Sequence, residues 1–329
     1  MKAIYLMQAD LFDRVYTPED RAVLAESRDE DIPFIAATDF RARLEQLREV
    51  ETIFSGWGCP LLDASVRHEM PHLRAIFHAA GTVRGVVAPE LWTTGVRVSS
   101  AAEANAGPVA DFAFAAAVFA SKFVFQHTES ARARRVFVSP SPMGLYGASV
   151  GLISLSRIGK RVAERLLASG ARVLAYDPSV SEADAASRCV EKVASIGELF
   201  ARSDIVSCHA PSLPETRGLV RGRHLRRLPA GGHFINTARG AVVDEAELVE
   251  VLRERPDLSA TIDVTTVEPL PLDSPLRDLR NVFLTPHIAG SQDRECRRLG
   301  LFAIEEHGRY QRGEPLLGEI LAESLALLA

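Results

Sequence analysis

Short apolar runs recur along the whole chain, and stretches with a helical spacing of apolar residues separate them. Such alternation predicts an α/β fold with a mostly parallel sheet. Before residue 100, the predicted strands are Ala3–Met7, Ile32–Ala36, Thr52–Ser55, Ala75–His78 and Val96–Ser99. After residue 148, they are Val150–Leu155, Arg172–Tyr176, Ile205–His209, His233–Asn236, Thr261–Val264 and Val282–Leu284. The two series in succession indicate two α/β domains.

The segments between the strands predict helices and one irregular connection. Arg41–Arg48 is predicted to be a short helix, and Ala104–Gln126 a long alanine-rich helix that is apolar on most faces. The segment Arg132–Tyr146 is rich in serine, proline and basic residues, so we expect an irregular connection or arm. The last 40 residues are predicted to form a helical tail. Such a tail could pack back on the first domain and make that domain discontinuous.

Size, charge and cysteine content narrow the classes of function. A chain of 329 residues with 47% hydrophobic composition is long enough for two domains with a full core each. Its net charge of −5 argues against a general nucleic-acid binder. The four cysteines include no pair with CxxC spacing, so we expect neither a disulfide framework nor a metal site. Reduced thiols are typical of a cytoplasmic protein.

The apolar segments do not have the pattern of a membrane protein. The apolar stretch at the N-terminus is too short for a signal peptide, and acidic residues follow it closely. The longest apolar run begins at Val109 and is interrupted by Asp111 and Lys122, so we expect a buried helix. These features predict a soluble protein that binds no membrane.

A possible cofactor loop follows the first strand of the second series. Residues 151–159 leave this strand and enter the predicted helix Lys160–Ala168, and Asp177 ends the next strand. A tight turn, a helix N-terminus and then an acidic residue are the layout of a dinucleotide-binding βαβ unit. The glycine fingerprint is incomplete, because Ser154 and Ser156 stand where GxGxxG has glycine. The alternative is an ordinary α/β turn with no ligand.

Asp177 indicates which dinucleotide the loop would bind. A carboxylate at this position accepts hydrogen bonds from the 2′-hydroxyl of the adenosine ribose and repels a 2′-phosphate. No arginine follows in residues 178–180 to receive that phosphate. The sequence therefore favours NAD over NADP as the cofactor.

Three widely spaced residues near the C-terminus have the chemistry of an active site. Arg239, Glu268 and His287 occur in that order, 29 and 19 residues apart, each after an apolar run that is predicted to be a strand. Hydride transfer to an anionic keto acid requires a fixed cation, a general acid/base and a group that tunes it. For each residue the alternative is structural: a surface ion pair for Arg239, a loop carboxylate for Glu268 and a packed imidazole for His287.

Together these motifs resemble the D-isomer-specific 2-hydroxyacid dehydrogenase family. The similarity is dense from about residue 149 to residue 291 and weak in the first 50 residues. The stretches that carry it are Arg157-Ile158-Gly159, Tyr176-Asp177-Pro178, His209-Ala210-Pro211, Pro214-Glu215-Thr216-Arg217-Gly218, Ile235-Asn236-Thr237-Ala238-Arg239-Gly240, Asp263-Val264, Glu268-Pro269-Leu270 and Thr285-Pro286-His287.

The resemblance implies an architecture and an assembly. Two Rossmann-like or flavodoxin-like parallel-sheet domains are expected, with the ligand in the cleft. The substrate domain would be discontinuous and comprise residues 1–102 and 290–329, and residues 103–289 would form the NAD-binding domain. A homodimer through the NAD-binding domain is also implied, although the arm near residues 130–147 is short here.

By resemblance, the three candidate residues have definite roles. Arg239 would bind the substrate carboxylate and carbonyl oxygen, because a guanidinium presents parallel donors to a planar anion. His287 would exchange a proton with the substrate oxygen, and Glu268 would orient the imidazole and favour its protonated form. The implied cofactor-binding residues are Ser156, Arg157, Ile158, Asp177, His209, Ala210, Thr216, Thr237, Ala238, Asp263 and Gly290.

Two loops of the first domain are predicted to contact the substrate. In the family, a glycine-rich loop holds the substrate carboxylate through its backbone amides. The corresponding segment here contains Gly81, Thr82 and an additional cation, Arg84, whose alternative is a solvated loop arginine. Trp57 lies in another loop after a strand, where it would form a pocket wall or simply pack.

These predictions favour an NAD-dependent dehydrogenase that acts on a small 2-hydroxy or 2-keto acid. One alternative is a relative that binds NAD(H) as a sensor or partner-binding module with little turnover, and Ser154 and Ser156 are its main support. Another is oxidation of a small anion such as formate or phosphite. The intact set of Arg239, Glu268 and His287 argues against the sensor. Glu268 together with His287 argues against formate oxidation, because that reaction needs no proton relay.

Overall fold

A computed structural model describes residues 2–28, 31–133 and 143–323 of the chain. Its internal contacts divide the chain into two units. Unit 1 comprises two segments, Met1–Asn105 and Ser291–Ala329, and unit 2 is the continuous segment Ala106–Gly290. The expected identities of a substrate domain and an NAD-binding domain stay predictions at this stage.

Unit 1 contains a parallel sheet with the strand order β2-β1-β3-β4-β5. This is the order of flavodoxin-like folds. All the residues of β1, β3 and β4 are buried, because apolar side chains cover both faces of the sheet. The strands are β1 (Ala3–Met7), β2 (Phe34–Ala36), β3 (Thr52–Ser55), β4 (Ala75–His78) and β5 (Arg97–Ser100).

Unit 2 contains a second parallel sheet, with the order β12-β11-β10-β9-β6-β7-β8. The first strand, β6, lies between β7 and β9, as in the Rossmann fold. The strands are β6 (Ser149–Ile153), β7 (Arg172–Tyr176), β8 (Glu191–Lys192), β9 (Ile205–Cys208), β10 (His233–Asn236), β11 (Ser259–Ile262) and β12 (Val282–Leu284). The two topologies confirm the predicted fold class.

Helices connect the strands of both sheets. They are α1 (Ala9–Val15), α2 (Pro18–Arg28), α3 (Phe40–Arg43), α4 (Ala64–Glu69), α5 (Ala102–Ser121), α6 (Val124–Arg132), α7 (Arg157–Ala168), α8 (Glu182–Ala186), α9 (Ile196–Arg202), α10 (Gly222–Leu225), α11 (Glu245–Glu254) and α12 (Arg297–Gln311). Short 3₁₀ segments occur at Leu44–Leu47, Pro89–Thr94, Pro214–Thr216, Gly240–Val242, Pro275–Asp278 and Asp293–Cys296.

The strand predictions agree with the structure to within two residues at each end, and the structure adds β8, which the sequence did not predict. β8 is only two residues long and has no apolar run, so no pattern indicated it. Arg41–Arg48 was predicted to be one helix, but α3 ends at Arg43 and a 3₁₀ segment follows.

The long alanine-rich helix was predicted wrongly as one element. α5 ends at Ser121, and Phe123 adopts a left-handed backbone with φ of +50° before α6 begins. The side chain of Phe123 is only 3% exposed, and its ring packs against Gly231. Burial of a phenylalanine therefore offsets the cost of the break. Of the predicted irregular segment, residues 134–142 lie outside the described residues.

The C-terminal tail is helical only in part. After α12, residues 312–323 are largely irregular, and Glu319 forms an isolated antiparallel bridge with Ser99 on β5. Arg97 binds the carboxylate of Glu319 with a shortest N–O distance of 2.7 Å, and the N–H of Ile320 donates to the carbonyl of Val98. Because the tail supplies hydrogen bonds to the edge strand β5, it cannot continue as a helix there.

Among the described residues, no single helix is long and apolar enough to cross a membrane. The consecutive helices α5 and α6 pass a test of length and composition only when they are taken together, with a bend of 61° between them.

Candidate active site

The predicted site residues of unit 2 lie at one edge of its sheet. The strands run parallel, so the loops after their carboxyl ends leave the sheet on the same side. β6 and β9 are neighbours at the point where the strand order reverses, which is where ligands bind in open α/β sheets. These loops contain Ser156, Arg157 and Ile158 after β6, Asp177 after β7, His209, Ala210 and Thr216 after β9, Thr237, Ala238 and Arg239 after β10, Asp263 and Glu268 after β11, and His287 and Gly290 after β12.

His287 and Glu268 form a hydrogen-bonded pair. Nδ1 of His287 lies 2.7 Å from Oε2 of Glu268, and Oε1 of Glu268 accepts the N–H of Thr265 at 3.0 Å. The side chains of His287 and Glu268 remain 48% and 37% exposed, so a small ligand can reach them. Because the carboxylate accepts at Nδ1, Nε2 of His287 is the atom that can exchange a proton with a ligand.

Gly240 brings the loop of Arg239 into contact with the loop of Glu268. A Cβ atom on Gly240 would lie 2.0 Å from the carbonyl carbon of Thr265 and 2.2 Å from its oxygen. Only glycine therefore allows this contact. Since Arg239 precedes Gly240 and Thr265 binds Glu268, the contact fixes the cation and the carboxylate in one region.

Arg239 is a partly buried cation with unused donors. Its Nη1 donates to the carbonyl of Ala238 at 2.6 Å, and its other N–H groups have no partner within the part of the chain that the structure describes. Burial lowers the pKa of Arg239, while the negative charge of Glu268 raises it. An arginine remains charged in either case. The guanidinium can thus accept an anionic ligand.

Asp263 fixes the loop that carries His287. The residue is only 2% exposed, and its carboxylate accepts hydrogen bonds from the hydroxyl of Thr285 at 2.6 Å, the N–H of Ile288 at 2.9 Å and the N–H of Ala289 at 3.0 Å. The N–H of His287 also donates to the carbonyl of Asp263 at 2.8 Å. Asp263 therefore positions His287. The implied contact of Asp263 with the nicotinamide stays a prediction.

The turn between β6 and α7 depends on Ser154 and Gly159. Ser154 has φ of +76°, a left-handed conformation that favours glycine. A Cβ atom on Gly159 would lie 2.1 Å from the carbonyl oxygen of Ser154, so glycine is required there. Ser156 caps α7, because its Oγ accepts the N–H of Gly159 at 3.3 Å and donates to the carbonyl of His209 at 3.0 Å.

Asp177 is held inside this turn by hydrogen bonds from the chain. Oδ2 accepts the hydroxyl of Ser154 at 3.1 Å and the N–H of Leu155 at 2.8 Å. Oδ1 accepts the N–H and the hydroxyl of Ser179, at 2.9 and 2.6 Å. Burial raises the pKa of this carboxyl, but the hydrogen bonds, those from Ser179 first, outweigh it and hold the pKa below its usual value.

Two buried polar atoms at the same edge lack a protein partner among the described residues. They are Oγ1 of Thr237 and Nδ1 of His209. Nε2 of His209 lies 2.9 Å from the hydroxyl of Ser207, and burial lowers the pKa of His209 to about 3, so the imidazole is neutral. A buried polar atom without a partner costs roughly 1–3 kcal/mol, which a bound ligand can recover.

The remaining predicted cofactor residues shape the loops. Oγ1 of Thr216 donates to the carbonyl of Pro211 at 2.5 Å and accepts the N–H of Leu213 at 2.8 Å. The N–H of Ala238 donates to the side chain of Asn236 at 3.1 Å. Within the described residues, no cluster of three His, Cys, Asp or Glu side chains is placed to hold a metal ion.

The predicted substrate loops belong to unit 1. Trp57 is partly buried against the core beside α1, and its carbonyl accepts the N–H of Gln8 at 3.0 Å. Gly81 and Thr82 are partly buried after β4, and Oγ1 of Thr82 accepts the N–H of Arg84 at 3.2 Å. The side chain of Arg84 is exposed. Within unit 1, these residues follow the carboxyl ends of β3 and β4.

Sequence reasoning missed residues that support the loops in both units. In unit 1, Nδ1 of His78 lies 2.9 Å from the hydroxyl of Ser55, which joins the ends of β3 and β4. Burial lowers the pKa of His78 to about 4, opposed by a backbone hydrogen bond with Thr82. No sequence signal marked that pair. In unit 2, the role of Ser179 was readable, because Asp-Pro-Ser is typical of a turn in which an aspartate accepts from the residue two positions later.

Comparison with known proteins identifies the family. Residues 114–289 match the family model described as D-isomer specific 2-hydroxyacid dehydrogenase, NAD binding domain. The glyoxylate reductase of Korarchaeum cryptofilum is 30% identical over 276 residues, which are 82% of each chain. The chain belongs to the D-isomer specific 2-hydroxyacid dehydrogenase family. This confirms the resemblance and NAD as the cofactor of the matched domain.

Other relatives in this family extend the comparison. The D-3-phosphoglycerate dehydrogenase of Mycobacterium leprae is 36% identical over 246 residues. The alignment covers 74% of this chain, which spans about half, 46%, of that relative's length. A family member from Lactobacillus delbrueckii ssp. bulgaricus, solved as its NAD complex, superimposes with a TM-score of 0.79 over 97% of this chain and all of that one, at 18% identity. This similarity supports the fold.

Proposed function

We propose that this protein transfers a hydride between NAD(H) and a small 2-hydroxy or 2-keto acid. The observation that carries the proposal is the pair formed by His287 and Glu268, 2.7 Å apart, beside the partly buried cation Arg239. A proton donor and an anion-binding cation are the two groups that reduction of a 2-keto acid requires from the protein. Both lie in loops at the carboxyl edge of the parallel sheet, where ligands bind in open α/β folds.

The residues at this edge fit an NAD cofactor, which supplies the hydride acceptor or donor when it is bound. The N-terminus of α7, with Arg157 and Ile158, suits a diphosphate, because helix N-termini attract anions. Oγ1 of Thr237, buried and without a partner among the described residues, is available to a polar group of the cofactor. Asp177 favours NAD over NADP by its negative charge.

Arg239 would bind the substrate carboxylate and its carbonyl oxygen. Its unused N–H groups can form parallel hydrogen bonds with two oxygens, which orients the planar acid. Partial burial strengthens this interaction by excluding water from the guanidinium. The same cation would polarise the carbonyl and so favour attack by hydride at its carbon.

His287 would transfer the proton that balances the hydride. In reduction, Nε2 donates a proton to the carbonyl oxygen, and in oxidation it removes the proton of the hydroxyl. Glu268 accepts the hydrogen bond of Nδ1 and would stabilise the positive charge that the imidazole gains when Nε2 takes up the substrate proton. Because Thr265 binds the second carboxylate oxygen, Glu268 cannot turn away from His287 without losing that hydrogen bond.

The substrate and the assembly are further parts of the proposal. Substrate contacts by Trp57, Gly81, Thr82 and Arg84 rest on the family resemblance and on their loops after β3 and β4. A homodimer and a cytoplasmic location rest on the resemblance and on the cysteine pattern. Relatives named D-3-phosphoglycerate dehydrogenase and glyoxylate reductase differ in substrate, so a panel of 2-keto acids is needed to identify the acid.

A panel of 2-keto acids tests the proposal. Consumption of NADH should be measured for the native chain, for Arg239→Ala and Arg239→Lys, and for the exposed-residue control His72→Gln. Arg239→Ala removes the guanidinium, so kcat/KM should fall by the factor that corresponds to a loss of about 2–4 kcal/mol of transition-state stabilisation. Arg239→Lys keeps the positive charge but lacks the paired N–H donors of the guanidinium, so its kcat/KM should lie between those of Arg239→Ala and the native chain. Native activity with all four proteins would refute the role of Arg239.

A second candidate is a member that binds NAD(H) with little turnover. Ser154 favours it, because a non-glycine residue in a left-handed turn at the cofactor loop departs from the family pattern. The same panel separates the two candidates: binding of NADH without consumption for any keto acid would support the second.

A further inference from the structure

The carboxylate of Asp177 has no acceptor position left for a ligand. A carboxylate offers about four lone-pair positions. Two of them accept from Ser154 and Leu155, and two accept from the N–H and hydroxyl of Ser179. Asp177 as a whole residue is only 6% exposed. A ribose hydroxyl can therefore bind Asp177 only if one of these donors leaves.

The hydroxyl of Ser154 is the donor most easily displaced. The N–H groups of Leu155 and Ser179 belong to the backbone and cannot rotate away. Of the four hydrogen bonds, that of Ser154 is the longest at 3.1 Å, whereas the hydroxyl of Ser179 donates at 2.6 Å. Ser154 also follows β6, at the point where the strand order reverses.

We propose that Ser154 determines cofactor affinity, because its hydroxyl competes with the adenosine ribose for Asp177. The inference rests on the proposed NAD site. A residue without a side-chain donor at position 154 would free one lone pair of Oδ2 for the 2′-hydroxyl. NADP would gain nothing, since its 2′-oxygen carries a phosphate instead of a proton. Ser154 thus lowers the affinity for NAD and reduces the preference for NAD over NADP.

The left-handed backbone makes the cause separable by substitution. Ser154→Ala removes the hydroxyl but keeps a Cβ atom in the left-handed conformation. Ser154→Gly removes the hydroxyl and also relieves the backbone. Ser154→Asn tolerates the left-handed conformation and keeps a side-chain donor for Asp177. Competition for Asp177 predicts a gain for Ala and Gly and none for Asn, whereas backbone strain predicts the largest gain for Gly and none for Ala.

Calorimetric titration of NAD and NADP into the full chain tests the inference. The Kd for NAD should fall about three- to tenfold in Ser154→Ala and Ser154→Gly, the worth of one hydrogen bond, while the Kd for NADP changes less than about twofold. Ser179→Ala should improve NAD binding less, because that hydroxyl is bound more closely. The exposed control Ser187→Ala should bind both cofactors like the native chain.

Several results would overturn the inference. Unchanged or weaker NAD binding in both Ala and Gly variants would do so, as would a gain in Gly with none in a folded Ala variant. Thermal unfolding of each protein without ligand verifies folding. If Ser154→Ala does not fold, a gain in Gly with none in Asn supports the competition, and a gain in both Gly and Asn overturns it in favour of backbone strain. If the native chain reduces keto acids but substitutions at position 154 do not change its NAD affinity, the proposed function holds and the inference fails. If the affinities follow the predicted pattern but no keto acid is reduced, the inference holds and the proposed function fails.

Discussion

At the scale of single residues, charge and hydrogen bonding distinguish the roles that we propose for the three candidate residues. Arg239 has N–H donors that can bind an anion. The two carboxylate oxygens of Glu268 accept hydrogen bonds from Thr265 and His287, which leaves Nε2 of His287 to exchange a proton. The three residues were predicted from their types, their order and the family resemblance, and their roles stay predictions. Their support was not predicted: the contact of Gly240 with Thr265 depends on how two loops meet, and the sequence contains no measure of that distance.

Substitution of Glu268 by glutamine tests the coupling in the pair. Glutamine can accept a hydrogen bond from Nδ1 but carries no charge, and its single carbonyl oxygen cannot also replace the carboxylate oxygen that accepts from Thr265. Without the negative charge, the imidazolium that forms when His287 removes the substrate proton is stabilised less. The rate of oxidation should therefore fall by about tenfold or more, while binding of NADH is kept. With a deuterium isotope effect showing that hydride transfer limits the rate, a native rate in Glu268→Gln would exclude the coupling.

At the scale of elements, the loops after β10 and β11 act together because a glycine lies where they touch. Gly240→Ala would place a Cβ atom within 2.0 Å of the backbone of Thr265, so one loop must shift. Because this shift separates Arg239 from Glu268, kcat/KM should fall by about tenfold or more, while NAD binding at the turn before α7 is largely kept.

Gly308→Ala is the matched control for that substitution. Gly308 lies within α12, an added Cβ would meet only the flexible end of the Arg312 side chain, and alanine favours helix by about 0.5–1 kcal/mol. Steady-state kinetics and thermal unfolding of both variants provide the readouts. Native kinetics in Gly240→Ala would show that the loop contact does not position the site.

The strands were predictable from the sequence where both faces of the sheet are buried. Strands such as Ala3–Met7 are continuous apolar runs between turns, and that pattern is local. The break at Phe123 and the pairing of the tail with β5 depend on distant partners, Gly231 and Val98, and no local pattern reports them. Ser154 was recognised as a departure from glycine, but its left-handed backbone and its hydrogen bond to Asp177 required the structure.

At the scale of the whole molecule, buried neutral histidines make stability depend on pH. Burial lowers the pKa of His78 to about 4 and that of His209 and His233 to about 3. Each is ordinarily near 6.5, so between pH 6.5 and about 4 the unfolded chain binds protons that the folded chain does not. The free energy of unfolding should therefore decrease as the pH falls through this range, by at most roughly 1.4 kcal/mol per pH unit for each histidine.

Urea unfolding at a series of pH values measures this dependence. His233→Asn removes one of these histidines, so the free energy of unfolding should depend less steeply on pH between pH 6.5 and 4.5. Because His233 forms hydrogen bonds with the hydroxyls of Ser259 and Thr261, the substitution should also lower the stability at neutral pH. A free energy of unfolding that stays constant over that interval would contradict the assignment of these imidazoles as neutral.

The proposed activity requires hydride transfer to the carbon that bears the oxygen. NADH carrying deuterium at both C4 positions should be incubated with each 2-keto acid of the panel, and the product analysed by mass spectrometry. The native chain should place one deuterium at C2 of the resulting hydroxy acid. His287→Gln should bind NADH but transfer at least about a hundredfold more slowly. Bound NADH with no deuterium at C2 for any acid would contradict the proposed activity.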